Sequence, residues 1–161
     1  LSSLREDIRF CQSCHNISDT ELCDICANSS RDQGLICVVE DVRDVMAIEA
    51  TQQYSGTYHI LGGLISPLDG VGPDNLHIQS LIRRVEQGTC YELIMALSPT
   101  LEGDTTVYFI TKKVTAFPVK ITTLSRGVAF GGELEYADEL TLARSILNRL
   151  PIEQLISSSE S

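Results

Sequence analysis

Four of the six cysteines have a spacing that could hold a metal ion. They form two Cys-x2-Cys pairs, Cys11 with Cys14 and Cys23 with Cys26, separated by a short polar loop. A tight turn in each pair can direct two thiolates to one side, and two such pairs complete a tetrahedron around Zn²⁺. Four thiolates leave no coordination position for water or substrate, so the pattern predicts a structural zinc site. Disulfides and bound iron are the alternatives. A reducing compartment disfavours disulfides, while spacing alone does not separate zinc from iron.

The other two cysteines and the polar residues beside the pairs are not expected to do chemistry. Cys37 lies inside the apolar run Leu35–Val39, which predicts a buried and unreactive thiol. Cys90 has no base close to it in the sequence, and a nucleophilic cysteine needs one. His15 and Asp24 each directly follow a cysteine of a pair, and we interpret them as surface loop residues rather than as ligands.

Acidic residues that follow two predicted strands form a second candidate site. Glu40 directly follows the run Leu35–Val39, while Glu102 and Asp104 follow the run Glu92–Leu97. Functional residues in α/β sheets gather where parallel strands end, so Glu40 and Glu102 are expected at the same edge of the sheet. There they could bind Mg²⁺ through oxygen atoms, receive a basic partner, or serve only as helix caps.

The elements that must position these residues alternate between strand and helix after Gln33. The predicted strands are Leu35–Val39, Tyr58–Leu61, Glu92–Leu97 and Val119–Leu124. The predicted helices are one capped by Asp41, one capped by Asp74, Thr105–Val114, and Ala137–Leu150. This alternation predicts an α/β fold with a mainly parallel four-stranded sheet flanked by helices.

Composition limits the classes of function that are open to the chain. The 161 residues are 43% hydrophobic, which suits one domain of ordinary size with a small appendage. The net charge of −10 argues against nucleic-acid binding by this chain alone, because phosphate contacts depend on Lys and Arg. No apolar run approaches the roughly 18–20 residues that a bilayer requires, and no secretory signal is visible at the start. A cytoplasmic location is therefore expected.

The motifs and their order resemble the RecR family of bacterial recombination mediators. The matching stretches are the two cysteine pairs, Ile36–Glu40, Gly56 with Tyr58–Leu61, Ser66–Asp74, Pro99–Gly103 and Arg126–Asp138. The resemblance implies a zinc finger with four cysteine ligands followed by a Toprim domain. It also implies that a helix-hairpin-helix region, which helps members of this family to bind DNA, would precede this chain. The implied divisions are 1–10 as the end of that helical region, 11–33 as the finger, 34–135 as the Toprim domain, and 136–161 as a C-terminal helix and tail.

The resemblance also bears on catalysis. Toprim domains of topoisomerases, primases and nucleases bind Mg²⁺ with a glutamate after the first strand and an Asp-x-Asp motif after the third. Glu40 matches the glutamate, but Ser98 and Thr100 occupy the two aspartate positions, and Glu102 is what remains of the acids beyond them. Hydroxyls are poor substitutes for carboxylates on Mg²⁺, so no strand cleavage is expected. The alternative is a Mg²⁺-dependent Toprim nuclease or primase-like enzyme that uses Glu40, Glu102 and Asp104.

The function implied by the resemblance is that of a non-catalytic scaffold. With RecF and RecO it would promote recombinase loading on gapped single-stranded DNA, as a dimer or tetrameric ring associated with the nucleoid. Glu40 and Glu102 would receive basic residues of a partner such as RecO, with Asp69, Asp74 and the Gly131–Glu133 loop shaping the same surface. DNA binding is expected of the full-length protein and is expected to be weak or absent here. A metal-stapled scaffold without a role on DNA is a third possibility.

Overall fold

The fold is built on one large sheet and one small hairpin, in a computed structural model that describes residues 9–124, 146 and 149–152. The strands are β1 (Arg9–Phe10), β2 (Ile17–Ser18), β3 (Asp32–Val39), β4 (Gly56–Ile60), β5 (Glu92–Met95), β6 (Lys120–Thr123) and β7 (Leu150–Pro151). The described helices are α1 (Asp24–Ala27), α2 (Val42–Ala50), α3 (Ile78–Glu86) and α4 (Leu101–Val114), with 3-10 turns at Pro67–Asp69 and Pro73–Asn75. Among these helices, none combines the length and apolar character that a bilayer crossing needs.

The large sheet has the strand order β4-β3-β5-β6-β7. The pairs β3–β4, β3–β5 and β5–β6 are parallel, and β7 joins β6 in the antiparallel direction. Parallel strands are covered by helices on both faces, which explains why β3 and β5 are nearly continuous apolar runs. The predicted mainly parallel four-stranded sheet is confirmed, and β7 adds a fifth, antiparallel strand at one edge.

Each face of the sheet contributes to a separate apolar core. Cys37 and Val39 of β3 point toward α2, while Ile36 and Val38 point toward α3 and α4. The described residue Ile146 packs on the α2 face. The buried Cys37 thiol agrees with the sequence interpretation, and burial raises its pKa. The metal and acidic sites are therefore attached to a sheet that is stabilised from both sides.

Helices α3 and α4 begin at positions other than those predicted, whereas α2 begins as expected. Asp41 caps α2 as expected, with Asp44 completing a capping box. Asp74, however, lies in a 3-10 turn and does not cap a helix; α3 begins after His77, because the extended residue Leu76 separates it from the turn. The prediction for Asp74 is wrong.

Helix α4 begins four residues before the predicted start at Thr105. The hydroxyl of Thr100 accepts a hydrogen bond from the Gly103 amide, so the first turn of α4 forms directly after the loop. Leu101 and Glu102, which the sequence placed in a loop, are therefore helical. The ambiguity between strand and helix for Thr105–Val114 is resolved in favour of a helix.

The two ends of the described chain also differ from prediction. Arg9 and Phe10, assigned to the end of a helix, pair with Ser18 and Ile17 because the cysteine-containing turn folds the chain back. The C-terminal helix was predicted to continue to Leu150, but residues 150–151 form β7. A proline without an N–H is tolerated there because β7 lies at an edge of the sheet. The rest of that helix, the Gly131–Glu133 loop and residues 1–8 lie outside the described residues.

Candidate functional site

The segment 9–28, here called the finger, brings the four cysteine sulfurs together. All four Sγ atoms lie within 4.8 Å of one another, and those of Cys14 and Cys23 are 3.6 Å apart. A tetrahedral zinc ion with Zn–S bonds of about 2.3 Å places its sulfurs about 3.8 Å apart, so the arrangement fits one ion. Among the described residues, these cysteines are the one group of three or more potential ligands positioned to hold a metal: Cys11, Cys14, Cys23 and Cys26.

Hydrogen bonds prepare these sulfurs to act as thiolates. The amides of Asn16 and Cys26 donate to the sulfurs of Cys14 and Cys23, each over 3.4 Å. Metal binding requires deprotonated sulfur, so this environment suits Zn²⁺. The predicted zinc cofactor is confirmed by the chemistry of this site and by the family match reported below.

The finger has almost no apolar core of its own. Its buried side chains are Cys11, Cys14 and Cys23, with Ile25 and Cys26 packed partly against them. A segment with so little apolar surface to bury cannot offset the entropy of folding, and a bound ion supplies the missing stabilisation. The four cysteines therefore serve both as ligands and as the packing centre of the finger.

His15 joins the finger to helix α3. Its ring stacks on that of His77 with centroids 3.7 Å apart, and its Nε2 lies 2.9 Å from Ser80 Oγ. Burial, His77 and Arg84 lower the pKa of His15 to about 4, so the ring is neutral near pH 7. The backbone of His15 has φ 70°, a left-handed conformation that closes the turn after Cys14. His15 is half-buried, which the sequence interpretation as a surface loop residue did not anticipate.

The finger also covers the outer edge of β4. The Cys14 carbonyl accepts a hydrogen bond from the Ile60 amide over 2.8 Å. Arg84 of α3 donates to the Tyr58 carbonyl over 2.7 Å on the same strand. An uncovered edge strand offers unpaired backbone groups to other chains, so this contact protects the sheet.

A buried histidine completes the contact between α3 and β4. His59 is fully buried, and its Nδ1 lies 3.1 Å from Arg84 Nη1. Because a guanidinium can only donate, Nδ1 accepts, and Nε2–H donates to the His77 carbonyl over 2.7 Å. Burial and the Arg84 charge lower the pKa of His59 to about 3, so it remains neutral. All three histidines of the chain thus meet where the finger joins the sheet.

At the carboxyl end of the strands, three hydrogen bonds join three segments around Glu40. The Ser98 hydroxyl donates to Glu40 Oε1 over 2.8 Å. The Gly62 amide donates to the Glu40 carbonyl over 2.8 Å, and the Ile65 amide donates to Thr106 Oγ1 over 2.9 Å. The end of β3, the segment after β4 and the start of α4 therefore form one continuous surface, as expected for the carboxyl edge of a parallel sheet.

The two hydroxyls at the Asp-x-Asp positions already have structural partners. Ser98 donates to Glu40, and Thr100 caps α4. Glu102 lies in the first turn of α4 and is half-buried. Within the described residues, no hydrogen bond or ion pair joins Glu40 to Glu102. The structure places both acids at the same edge of the sheet, and their joint role as a partner site stays a prediction.

A third carboxyl group lies behind Glu40. Asp44 is 1% exposed, and its Oδ2 accepts from the amides of Glu40 and Asp41 over 3.3 and 3.4 Å. Its Oδ1 has no hydrogen-bond partner among the described residues. Burial, followed by the Asp41 and Glu40 charges, raises the pKa of Asp44 to about 7. Since the fold favours the protonated form, the ionised group lowers stability progressively as pH rises from about 4 to 7. The sequence identified Asp44 as a cap but not as a buried acid.

Comparison with protein families identifies successive parts of the chain. The family described as the RecR zinc finger domain with four cysteine ligands matches residues 8–28. The family described as "Toprim domain" matches residues 34–125, and that described as "RecR, C-terminal" matches residues 127–150. The order of the first two matches agrees with the order of the finger and the sheet in the structure.

Three similar proteins carry the same name. The "Recombination protein RecR" of Amoebophilus asiaticus is 61% identical over 150 residues, which cover 93% of this chain and 75% of that protein. The proteins of the same name from Flavobacterium johnsoniae and Bacteroides fragilis are 57% and 59% identical, covering 99% and 91% of this chain and 77% and 72% of theirs. From the zinc finger to the C-terminal match, this chain belongs to the RecR family.

Proposed function

We propose that this chain acts in DNA recombination and repair as a mediator without catalytic activity of its own. Family membership supports the role in recombination, since the similar proteins are named for it. The observation that carries the non-catalytic part is the hydrogen bond from Ser98 to Glu40, at the position where a catalytic Toprim domain would bind a metal. A neutral hydroxyl stands where a second carboxylate would be needed.

The charge and geometry of this edge support the absence of metal-dependent phosphoryl transfer. Such chemistry uses carboxylates that hold one or two Mg²⁺ ions against the phosphate. One oxygen of Glu40 accepts from Ser98, and the Thr100 hydroxyl is used to cap α4. Asp104 is exposed on α4 rather than placed beside Glu40 by any contact among the described residues. The Mg²⁺-dependent nuclease or primase-like alternative therefore lacks an observation that favours it.

A magnesium experiment tests this part of the proposal. The chain is expected to leave supercoiled DNA intact at millimolar Mg²⁺, and a Ser98→Asp/Thr100→Asp variant is expected to bind Mg²⁺ at least about tenfold more tightly than the unchanged chain. Titration calorimetry measures the affinity and gel electrophoresis detects nicking. Nicking by the unchanged chain that requires Mg²⁺ and disappears in Glu40→Gln would establish the enzyme alternative.

The carboxyl edge is proposed as the docking site for a basic partner such as RecO. Glu40 and Glu102 are both half-buried at this edge. The ion pairs described in the structure use other acids, namely Glu49, Asp41 and Glu92. Carboxylates at the end of a rigid sheet that take part in none of these described ion pairs are suited to receive Arg or Lys from another protein.

Charge reversal tests the docking site. Glu40→Lys and Glu102→Lys are each expected to weaken RecO binding about tenfold or more, because each replaces an attraction by a repulsion. Glu86→Lys is the matched control, since Glu86 is an exposed acid at the end of α3, away from the carboxyl edge. Biolayer interferometry measures the affinities, and thermal melting checks the fold. Unchanged affinity in both edge variants would remove these residues from the docking site.

Assembly and domain organisation are part of the same proposal. The finger would hold the segment that precedes it at a fixed place on the Toprim domain, because it contacts the edge of β4. The proposed divisions of the chain are 11–33 for the zinc-finger domain and 34–135 for the Toprim domain. The chain would act as a homodimer or tetrameric ring with RecF and RecO, and contact DNA in the full-length protein at the nucleoid. Size measurement and salt-dependent DNA binding, with and without an N-terminal extension, test these points.

A further inference from the structure

Two large apolar side chains are exposed at the carboxyl edge of the sheet. Leu68 is 97% exposed and Leu101 is 79% exposed, the highest values among the large apolar residues that the structure describes. Neither side chain contributes to the apolar cores on the two faces of the sheet. Single exposed leucines are common, but exposed apolar side chains on joined segments can supply the apolar part of a binding surface.

The segment that carries Leu68 is held in place by local hydrogen bonds. Leu68 lies in the 3-10 turn Pro67–Asp69, and Ser66 Oγ donates to Asp69 Oδ2 over 2.9 Å across this turn. Backbone hydrogen bonds in both directions between Ser66 and Val71 close the base of the turn. Leu68 is therefore presented to solvent by a closed turn.

Leu101 is presented by the first turn of α4. The cap at Thr100 fixes the start of the helix, and Gly103 packs directly against the Ser98 carbonyl. The hydrogen bond from Ile65 to Thr106 connects the Leu68 segment to this helix. The segments that carry Leu68 and Leu101 are thus joined to each other and to the end of β3.

Acidic residues accompany both leucines. Asp69 follows Leu68 and Glu102 follows Leu101 in the chain, and Glu40 lies on the strand end that both segments contact. We define the carboxyl-edge surface by these residues: Glu40, Leu68, Asp69, Leu101 and Glu102. A second copy that met this surface with its own carboxyl-edge surface would bring like charges together. Charge complementarity instead favours a segment that carries Arg or Lys.

We propose that the carboxyl-edge surface binds a partner segment in which apolar side chains are flanked by Arg or Lys, and that Leu68 and Leu101 are its apolar anchors. This inference rests on the proposed docking function and adds the chemistry of the occupant. Desolvated apolar contacts at the centre of an interface control dissociation, whereas charges at its rim control association and salt dependence. The leucines and the acids should therefore affect different rate constants.

Kinetic binding measurements with purified RecO test the proposal. Leu68→Ser and Leu101→Ser are each expected to weaken binding about tenfold, mainly through faster dissociation and with an unchanged dependence of association on salt. Glu40→Lys should instead slow association and reduce its salt dependence. Met46→Ser is the matched control, because Met46 is 66% exposed on α2. All three substituted apolar residues are exposed, so the variants should melt at the temperature of the unchanged chain.

The possible outcomes separate this inference from the docking function on which it rests. If the charge reversals weaken binding and both leucine variants bind normally, the apolar anchors are refuted and the docking site stands. If neither set of variants changes RecO affinity, both proposals fail. If the leucine variants convert an oligomer of this chain to monomers and leave RecO affinity unchanged, the surface is an interface between copies and the inference is overturned.

Discussion

Loss of the zinc ion is expected to unfold the finger while the five-stranded sheet remains folded. Cys23→Ser removes one thiolate from a site in which all four sulfurs lie within 4.8 Å of one another. Without the ion, this variant retains the buried Cys11 and Cys14 and the partly buried Ile25 and Cys26, too little apolar surface to hold the finger folded. The sheet has separate apolar cores on its two faces and does not depend on the metal. The effect should therefore be large but local.

Metal analysis and hydrogen exchange measure this effect. The unchanged chain should contain one zinc per chain, and Cys23→Ser should contain none. Amide exchange within residues 11–28 should accelerate by about 100-fold or more, as expected for local unfolding. Cys90→Ser is the matched control, because Cys90 is a buried cysteine that packs in a core of the sheet and is not one of the four clustered sulfurs. Continued protection of the finger amides in metal-free protein would contradict the prediction.

Loss of the zinc ion should also expose the edge of β4. The Ile60 amide bonds to the Cys14 carbonyl, so its exchange should accelerate together with the finger. An uncovered edge strand can pair with another chain, and the metal-free variant should therefore self-associate more readily. Sedimentation velocity measures this association. Unchanged protection of Ile60 would show that the finger does not need its metal to cover the edge.

Gly103→Ala is expected to cause the largest loss of stability of any small substitution at the carboxyl edge. A Cβ at this position would lie 1.7 Å from the Ser98 carbonyl oxygen, a backbone atom that cannot rotate away. Either α4 or the loop after β5 must move. This movement would lengthen or break the hydrogen bond from Ser98 to Glu40 and the hydrogen bond from the Gly103 amide to Thr100. We expect a loss of about 3 kcal/mol or more in the free energy of unfolding.

Denaturant unfolding measures the free energy, with Gly72→Ala as the matched control. The nearest heavy atom to a Cβ at Gly72 is Asn75 Oδ1 at 3.8 Å, so this variant should differ from the unchanged chain by about 0.5 kcal/mol or less. Gly103→Ala should also weaken RecO binding, since it displaces the segment that carries Leu101 and Glu102. Equal stability of the two variants would show that α4 does not pack on Ser98 as described.

Local pattern alone was enough to predict the main elements of this protein. The spacing of the cysteines reflects how a tight turn presents two sulfurs, and apolar periodicity reflects burial on one or both sides of an element. The four parallel strands, the Asp41 cap and the zinc chemistry followed from such short-range rules. The errors at Asp74, Leu101 and Leu150 arose at element ends, where competing local caps and tertiary pairing decide the boundary.

Contacts between residues far apart in the chain were decided only by the tertiary structure. The Ser98–Glu40 hydrogen bond joins residues 58 positions apart, and the His15–Ser80 contact joins residues 65 positions apart. The burial of Asp44 and the neutral state of His59 depend on how much solvent and which charges surround them, which no local spacing encodes. Residue types and their spacing indicate which side chains can bind a metal ion or a charged group. Folding decided which of them meet, because packing of whole helices on the sheet sets those distances.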